Sequence, residues 1–458
     1  AGVGRSCHLE DSLMHSVVVG LGKTGASYLR YLTKRGIPVR ATDSRRAPPG
    51  LAELGPLADS LDLRLGGFDL SLLDGASQIL ISPGVSLEEP IARAARERGI
   101  EVLGDVELFA RHVQAPVIGI TGTNGKSTVT TLVARMAAAA GRRVLAGGNL
   151  GIAALDLLEQ PTPDLYVLEL SSFQLETTSS LELLAAVVLN VTADHLDRYP
   201  SMAVYARAKS RIFAHAATVV LNADDPLVAA MRGSALRTVT FSIVADAGGP
   251  PADFSLLRAG TKTYLAGHGS ALLDTARLKI SGLHNAANAL AALALGEAAG
   301  LPMPAMLEAL ESFPGLPHRS QWIADAAGVR YVDDSKGTNV GATMAAVAGM
   351  TGPLVMIAGG QGKGQDFTPL AQAFRGKVRH VVLIGQDAAQ LAAALTGVCT
   401  TETAASMPEA VAAAARAARA GDTVLLSPAC ASFDMFRDYG HRGEVFAAAV
   451  RDLNASAA

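Results

Sequence analysis

The stretch GITGTNGKSTVTTLVARMAAAAG, residues 119–141, constrains this chain more than any other. The apolar run APVIGI (115–120) leads into it and fits a buried parallel strand. Gly119, Gly122 and Gly125 then recur every third residue, which lets the backbone turn tightly with its N–H groups facing one point. After Lys126 and Ser127 the spacing predicts a helix with Val129, Leu132, Val133 and Met136 on one apolar stripe and Gly141 as its stop. A helix N-terminus with free N–H groups is an anion site, where a lysine can reach β- and γ-phosphates and a serine hydroxyl can bind Mg²⁺. The strict phosphate-loop spacing would need glycine at Ile120, so this loop is a variant. The bland alternative is an ordinary glycine-rich turn. Lysine and serine in the two functional slots argue against it.

Strand-like and helical runs alternate through the rest of the 458 residues, and that length suggests about three domains. SVVVG (16–20), PVRATD (38–43) and QILISPG (78–84) are strands of a first block. The phosphate loop, RRVLAGGN (142–149), DLYVLEL (164–170), AAVVLNV (185–191) and TVVLNADD (218–225) form a second. Residues 238–283 read as a small antiparallel insert, 284–300 as a helix and SFPGLPHR (312–319) as a hinge. VRYVDDS, PLVMIAGG, HVVLIG and TVLLSPA supply the third block. The reading is α/β with three domains: an N-terminal Rossmann-like domain over 1–104, a central P-loop ATPase-like domain with its insert over 105–315, and a C-terminal Rossmann-like domain over 316–458. Residues 1–13 carry no core-forming pattern and read as a native arm or a leftover of cloning.

Charge and composition exclude several classes. The net charge of −3 makes no electrostatic case for nucleic acid or an acidic membrane. The hydrophobic fraction of 49% is inflated by alanine, and no apolar run reaches the ~18 residues of a membrane span. Cys7, Cys399 and Cys430 are widely spaced, which fits a reducing cytoplasm rather than a disulfide framework or a thiolate zinc site.

GLGKTG (20–25) follows the first strand, and Asp43 ends the next one, as in a dinucleotide fingerprint with its acidic ribose partner. A nicotinamide cofactor, any other ligand with a pyrophosphate, or no ligand at all would satisfy this motif. Glu169 ends an apolar strand, placed to hold Mg²⁺ or simply to cap the next helix. His195 lies at a strand-end rim, and Lys209 sits in a helix where spacing gives it no special role.

Taken together, GITGTNGKST, GGNLG (147–151), LELSSFQLETT (168–178), NVTADHLDRY (190–199), HNAANALAA (284–292), GLPHR (315–319), DDSKGTN (333–339) and LLSPACASFDMF (425–436) make the chain resemble the Mur ligases of peptidoglycan synthesis from about Val17 to about Phe446. The loop variant is the form that family uses. The resemblance implies a cytoplasmic, monomeric ATP-dependent ligase that joins D-glutamate to UDP-N-acetylmuramoyl-L-alanine through an acyl phosphate, without nucleic-acid or membrane partners. Sister ligases adding L-alanine or a diamino acid would share the ATP motifs, and folylpolyglutamate synthase would lack the N-terminal block. The other readings are a nicotinamide oxidoreductase, which would leave the phosphate loop idle, and a nucleotide-binding regulator.

The resemblance also implies roles. Gly122, Thr123, Asn124, Gly125, Lys126, Ser127 and Thr128 would hold ATP phosphates, with Asn285, Asn288, Arg319 and Asp334 around adenine, phosphate and ribose. Ser127 and Glu169 would serve one Mg²⁺ and His195 a second, with Lys209 carbamylated by CO₂ into a metal-binding carboxylate. Lys126, Glu169, His195 and Lys209 would be the catalytic set. Gly22, Lys23, Thr24, Asp43, Ser44, Arg45 and Asn149 would bind the UDP-linked substrate. Lys336, Thr338, Lys363, Ser432 and Tyr439 would bind D-glutamate, Tyr439 standing where relatives can carry phenylalanine.

Overall fold

The computed structural model describes residues 14–196, 198–231, 237–244, 252–280, 282–350 and 352–457, so the predicted arm at 1–13 and Cys7 lie outside the described residues. Two compact units emerge: the first holds the chain up to Gly119 with Arg143–Leu184 and Arg211–Ala217, the second Ile120–Arg142, Ala185–Ser210 and Thr218 onward.

In the first unit β1 (His15–Val19), β2 (Val39–Asp43), β3 (Asp62–Leu65), β4 (Ala76–Ile81) and β5 (Glu101–Leu103) form a parallel sheet in the order β3-β2-β1-β4-β5. All five residues of β1 are buried, as expected for a strand covered on both faces. Helix Lys23–Lys34 covers it with Ala26, Leu29 and Leu32. Strand order reverses between β1 and β4, and a ligand crevice belongs at the carboxyl ends of strands at such a point. β6 (Val117–Thr121) begins in this unit and ends in the second. β7 (Val144–Gly148) and β8 (Leu165–Glu169) pair in parallel, aligning Gly148 with Glu169.

β9 (Leu183–Val188) and β10 (Ala216–Asn222) likewise run into the second unit. There they continue β6 in the order β6-β9-β10, followed by β11 (Arg237–Ser242), β12 (Phe254–Ala259), β13 (Lys262–Gly267) and β14 (Ser270–Asp274). Of the expected insert, β11 pairs in parallel with β10 and β12, and only β12–β14 are antiparallel to one another. The insert is thus an extension of the sheet edge.

The C-terminal sheet runs β15-β16-β20-β17-β18-β19, from β15 (Gln321–Ala326), β16 (Val329–Asp333), β17 (Leu354–Gly359), β18 (Val378–Ile384), β19 (Thr400–Thr403) and β20 (Thr423–Leu426). Only β15 is antiparallel to its neighbour. Along β17, Leu354, Met356 and Ala358 join one apolar cluster while Val355 and Ile357 join another. That period of two places a core on each face of the sheet. Among the described residues, no helix is long and apolar enough to cross a membrane.

Candidate active site

The first unit carries a cleft of about 510 Å³ at the β1/β4 reversal, lined by Gly20, Gly22, Lys23, Thr24, Asp43, Ser44, Arg45, Ser82, Asn149 and Gln174 among others. The GLGKTG turn makes it. Gly20 has φ 92°, and a Cβ on Gly25 would lie 2.1 Å from the Gly20 carbonyl oxygen, so neither tolerates a side chain. A Cβ on Gly22 would meet no protein atom within 4 Å. Helix Lys23–Lys34 has no side-chain cap, leaving its first amides for a ligand.

Asp43 departs from a dinucleotide-type acid. Its Oδ2 accepts from the Leu21 amide (2.6 Å) and Arg45 Nη2 (2.7 Å), and its Oδ1 from the Arg45 amide (2.8 Å) and Arg45 Nε (2.9 Å). A carboxylate has about four acceptor positions, and all are used internally. Burial raises its pKa, but the hydrogen bonds from Arg45 and Leu21 outweigh it and hold the carboxyl below its usual range. Asp43 therefore fixes the turn and aims the half-exposed Arg45 guanidinium, rather than offering an oxygen to a ribose.

Asn149 lines the same cleft and also donates from Nδ2 to Glu169 Oε1 (2.8 Å), while its amide donates to the Glu169 carbonyl (2.8 Å). Glu169 is buried, and its Oε2 has no hydrogen-bond partner among the described residues. The sequence left Mg²⁺ and helix capping open for this carboxylate. The following helix is capped by Ser171 with Gln174, so Glu169 is not needed there.

The second unit holds a cavity of about 280 Å³ lined by Asn124, Gly125 and Thr128 of the loop, Asn285 and Asn288 of helix Leu283–Ala298, and Arg319, Asp334 and Lys336. Gly122 and Gly125 have φ 151° and 85°, and a Cβ on Gly125 would lie 2.4 Å from Asn288 Oδ1. Asn190, two residues beyond β9, clamps the loop. Its carbonyl accepts from the Thr123 amide (2.9 Å), and its side chain exchanges hydrogen bonds with the Asn124 backbone (2.8 and 3.1 Å). Two lysines converge on one oxygen: Lys126 Nζ and buried Lys209 Nζ donate to the Gly122 carbonyl at 2.8 and 2.9 Å. Arg319 Nη2 donates to Ser127 Oγ (2.8 Å). Burial pushes the Asp334 carboxyl up to about 7, against hydrogen bonds from Ser427 and the Ser320 amide and the charge of Arg319. His195 has φ 55° and its amide donates to Asp194 Oδ1 (2.9 Å); Asn339 ties Asp194 Oδ2 (3.2 Å) to Asn124 (3.2 Å).

Of the residues expected for the amino acid, Lys336 lines this cavity, and it comes with Thr338, Lys363 and Ser432 from three segments bound to one another. Gln361 and Ala431 exchange backbone hydrogen bonds, linking the Lys363 loop to Ser432. Gln365 accepts from the Val340 amide (3.0 Å), joining that loop to the turn of Lys336 and Thr338. Lys336 Nζ sits 3.7 Å from the centre of the Tyr439 ring, and Ser335 Oγ donates to the Tyr439 carbonyl (2.8 Å), so both ring and backbone of Tyr439 are used. Arg442, fully buried, donates to Ser335 Oγ, Ser335 O and Cys430 O at 3.0, 2.8 and 3.1 Å. Sequence reasoning missed Asn190, Asn339 and Arg442. Asn190 ends a strand-like run beside His195 and was findable; nothing in the spacing of Arg442 distinguishes it.

Family models match in chain order: the Mur ligase MurD-like N-terminal domain over 14–104, the Mur ligase middle domain over 120–296 and the Mur ligase glutamate ligase domain over 318–430. The UDP-N-acetylmuramoylalanine–D-glutamate ligases of Nitrosococcus oceani and Pseudomonas aeruginosa are 54% and 48% identical, covering 96% and 95% of this chain and 96% and 98% of their own. In fold, the chain is similar to a pseudomurein peptide ligase type C from Methanothermus fervidus (TM-score 0.63, 21% identity, 96% of this chain and 100% of that one). UDP-N-acetylmuramate–alanine ligase from Thermotoga maritima is also similar (TM-score 0.61, 19% identity, 97% and 100%). With a phosphate loop clamped from just beyond β9, three successive domain matches and relatives half identical from end to end, the chain belongs to the Mur ligase family.

Proposed function

We propose that this protein joins D-glutamate to UDP-N-acetylmuramoyl-L-alanine at the expense of ATP, in the cytoplasmic synthesis of peptidoglycan precursors. The observation that carries the reading is the second-unit cavity, where the phosphate loop, Arg319 and Asp334 meet Lys336 of the amino-acid segments. Relatives of about half identity bear the name of that activity. The first-unit cleft, with bare helix amides, Lys23 and Arg45, suits a uridine diphosphate.

A carboxylate oxygen is a poor leaving group. Transfer of the ATP γ-phosphoryl to it breaks the β–γ bridge, releases ADP and yields an acyl phosphate. The D-glutamate amine then forms the C–N bond, loses a proton, and expels phosphate from the tetrahedral intermediate. Bringing a triphosphate against a carboxylate needs positive charge. The loop amides, Lys126 and Arg319 supply it from this chain, and Lys336 with Lys363 would pair the two carboxylates of D-glutamate.

Magnesium fits the residues present. Glu169 Oε2, in the first unit, is a buried carboxylate oxygen with no hydrogen-bond partner among the described residues; in the second unit, Ser127, His195 and Lys209 as a carbamate are the groups that would serve a metal ion. When bound, the metal would neutralise phosphate charge. A carbamate on Lys209 would replace one of the two positive charges at Gly122 O with a negative one.

The test is phosphate release with ATP, Mg²⁺ and UDP-N-acetylmuramoyl-L-alanine, varying the amino acid alone. Release with D-glutamate, and not with L-glutamate, L-alanine or diaminopimelate, is the expected result. Release with another acceptor moves the protein to a sister ligase activity.

A further inference from the structure

In the first unit, helix Asp105–Ala110 carries two buried carboxylates that face the segment Ser171–Ser180. Glu107 is fully used: its Oε2 accepts from the Ser179 and Ser180 amides (2.7 and 3.0 Å), and its Oε1 from Ser180 Oγ (2.8 Å) and Arg111 (3.3 Å). Its role is to hold the turn. Asp105, with no exposed surface, accepts from Gln174 Nε2 at 2.8 Å, and its Oδ1 has no hydrogen-bond partner among the described residues. A buried polar atom without a hydrogen bond costs about 1–3 kcal/mol, offset here in part by the Asp105 and Val106 amides, which favour the ionised carboxyl.

The side-chain partner of Asp105 is Gln174. This residue lines the cleft proposed for the UDP-linked substrate, beside Gly148 and Asn149. Its Oε1 accepts from the Ser171 amide (3.0 Å) and lies 3.2 Å from Ser171 Oγ, which uses its acceptor capacity. One Nε2 hydrogen goes to Asp105, so the amide has a single hydrogen-bonding group left, an N–H donor. Both ends fix the flip of the amide. The Ser171 amide holds Oε1, and Asp105 anchors Nε2 and so sets the direction of its second hydrogen. Burial pushes the Asp105 carboxyl up to about 6, which still leaves it ionised and acceptor-only at neutral pH.

Resting on the proposed function, we infer that Asp105 is a positioning residue for the UDP-linked substrate: it orients Gln174 so that the remaining Nε2–H donates to an acceptor oxygen of that substrate in the cleft.

The experiment is calorimetric titration of UDP-N-acetylmuramoyl-L-alanine into the full-length protein and its Gln174→Glu and Asp105→Leu variants, with kcat, the three KM values and melting temperatures measured alongside. Gln174→Glu removes the outward donor and sets a second carboxylate against Asp105; its Kd for the UDP-linked substrate rises at least ~10-fold, the loss expected for a hydrogen bond to a charged or fixed acceptor. Asp105→Leu keeps a similar volume and removes the acceptor, and its Kd rises several-fold while the KM for ATP and the melting temperature stay near those of the unaltered protein. Unchanged Kd in both variants, with an active unaltered protein, overturns the inference alone. So does a parallel fall of kcat, ATP binding and melting temperature, which would mark a structural role. An unaltered protein that neither binds the substrate nor releases phosphate overturns the proposed function itself.

Discussion

Lys209 and Lys126 share one acceptor, the carbonyl oxygen of Gly122, at 2.9 and 2.8 Å. Lys209 is the buried one of the two, and it also stands 4.5 Å from the centre of the Tyr205 ring. If its working form is a carbamate, the anionic group rather than the amine is what catalysis needs. Lys209→Ala should then lower kcat by roughly 100-fold or more, and a small carboxylate such as acetate should restore a measurable part. Lys126→Ala should show a comparable loss that no carboxylate rescues. Equal, unrescued losses at both positions would remove the carbamate from the reading.

Asp43 and Arg45 lock the cleft turn, and the lock has a defined pH range. The folded-state pKa of Asp43 lies below its unfolded value, so the carboxylate's stabilisation is present above about pH 4 and is lost as pH falls through the folded pKa. Melting curves should show the difference between the protein and Asp43→Asn holding constant from pH 8 to 5 and narrowing only in stronger acid. The same variant should raise the KM for the UDP-linked substrate by about 10-fold, because Arg45 loses its partner. NADH should not bind the unaltered protein, as the four acceptor positions of Asp43 are filled from within.

His318 behaves with the opposite sign. Its Nδ1 lies 2.7 Å from Asp333 Oδ2, and that hydrogen bond raises its pKa above the usual value. Stability from this pair is therefore full below about pH 6.5 and is lost as pH rises through the folded pKa. His318 also holds φ 60° and accepts at its carbonyl from the Lys336 amide (3.1 Å), so the pair supports the turn that carries Lys336. The melting-temperature gap between the protein and His318→Gln should shrink between pH 6 and 9. A gap that grows over this range would contradict the assignment.

Much of this was legible in the sequence because the chemistry there is local. The phosphate loop announced itself through Gly122, Gly125, Lys126 and Ser127 at fixed spacing, and the helix that follows runs Lys126–Ala139 with Gly141 at φ 76° just beyond. The βα turn at Gly20 and Gly25 was equally visible. What it would bind was not, because the fate of Asp43 depends on Arg45 folding back on it, and no spacing rule records that. β15 and β19 were missed, since their burial is partial and their residues lack a continuous apolar run. Arg442 was invisible for a different reason: its partners are Ser335 and the backbone of Cys430, about a hundred and about a dozen residues away, brought together only by the sheet order.

Gly125 permits a sharp test of the nucleotide cavity. Its φ of 85° is strained for any L-residue, and a Cβ would press on Asn288 Oδ1 at 2.4 Å. Gly125→Ala should raise the KM for ATP by about 100-fold or abolish turnover, while binding of the UDP-linked substrate to the first-unit cleft is retained. Loss of both would point to unfolding instead, and circular dichroism separates the two outcomes.

Arg442 should govern the amino-acid segments without touching the substrate itself. It is fully buried, burial lowers its pKa to about 10, and its three hydrogen bonds tie the Ser335 turn to the Cys430 loop. Those two segments carry Lys336 and Ser432, so their spacing sets the distance between a cation and a hydroxyl proposed for D-glutamate. Arg442→Lys keeps a charge but loses the rigid fork, and one ammonium cannot reach all three acceptors in the same geometry. The KM for D-glutamate should rise about 10-fold or more while the KM for ATP changes little. Arg442→Met, which removes the charge and keeps much of the bulk, should give the larger rise if the fork positions the segments, and also a lower melting temperature from the unpaired carbonyls. A rise in the KM for ATP equal to that for D-glutamate would show that Arg442 holds the whole domain rather than this pocket.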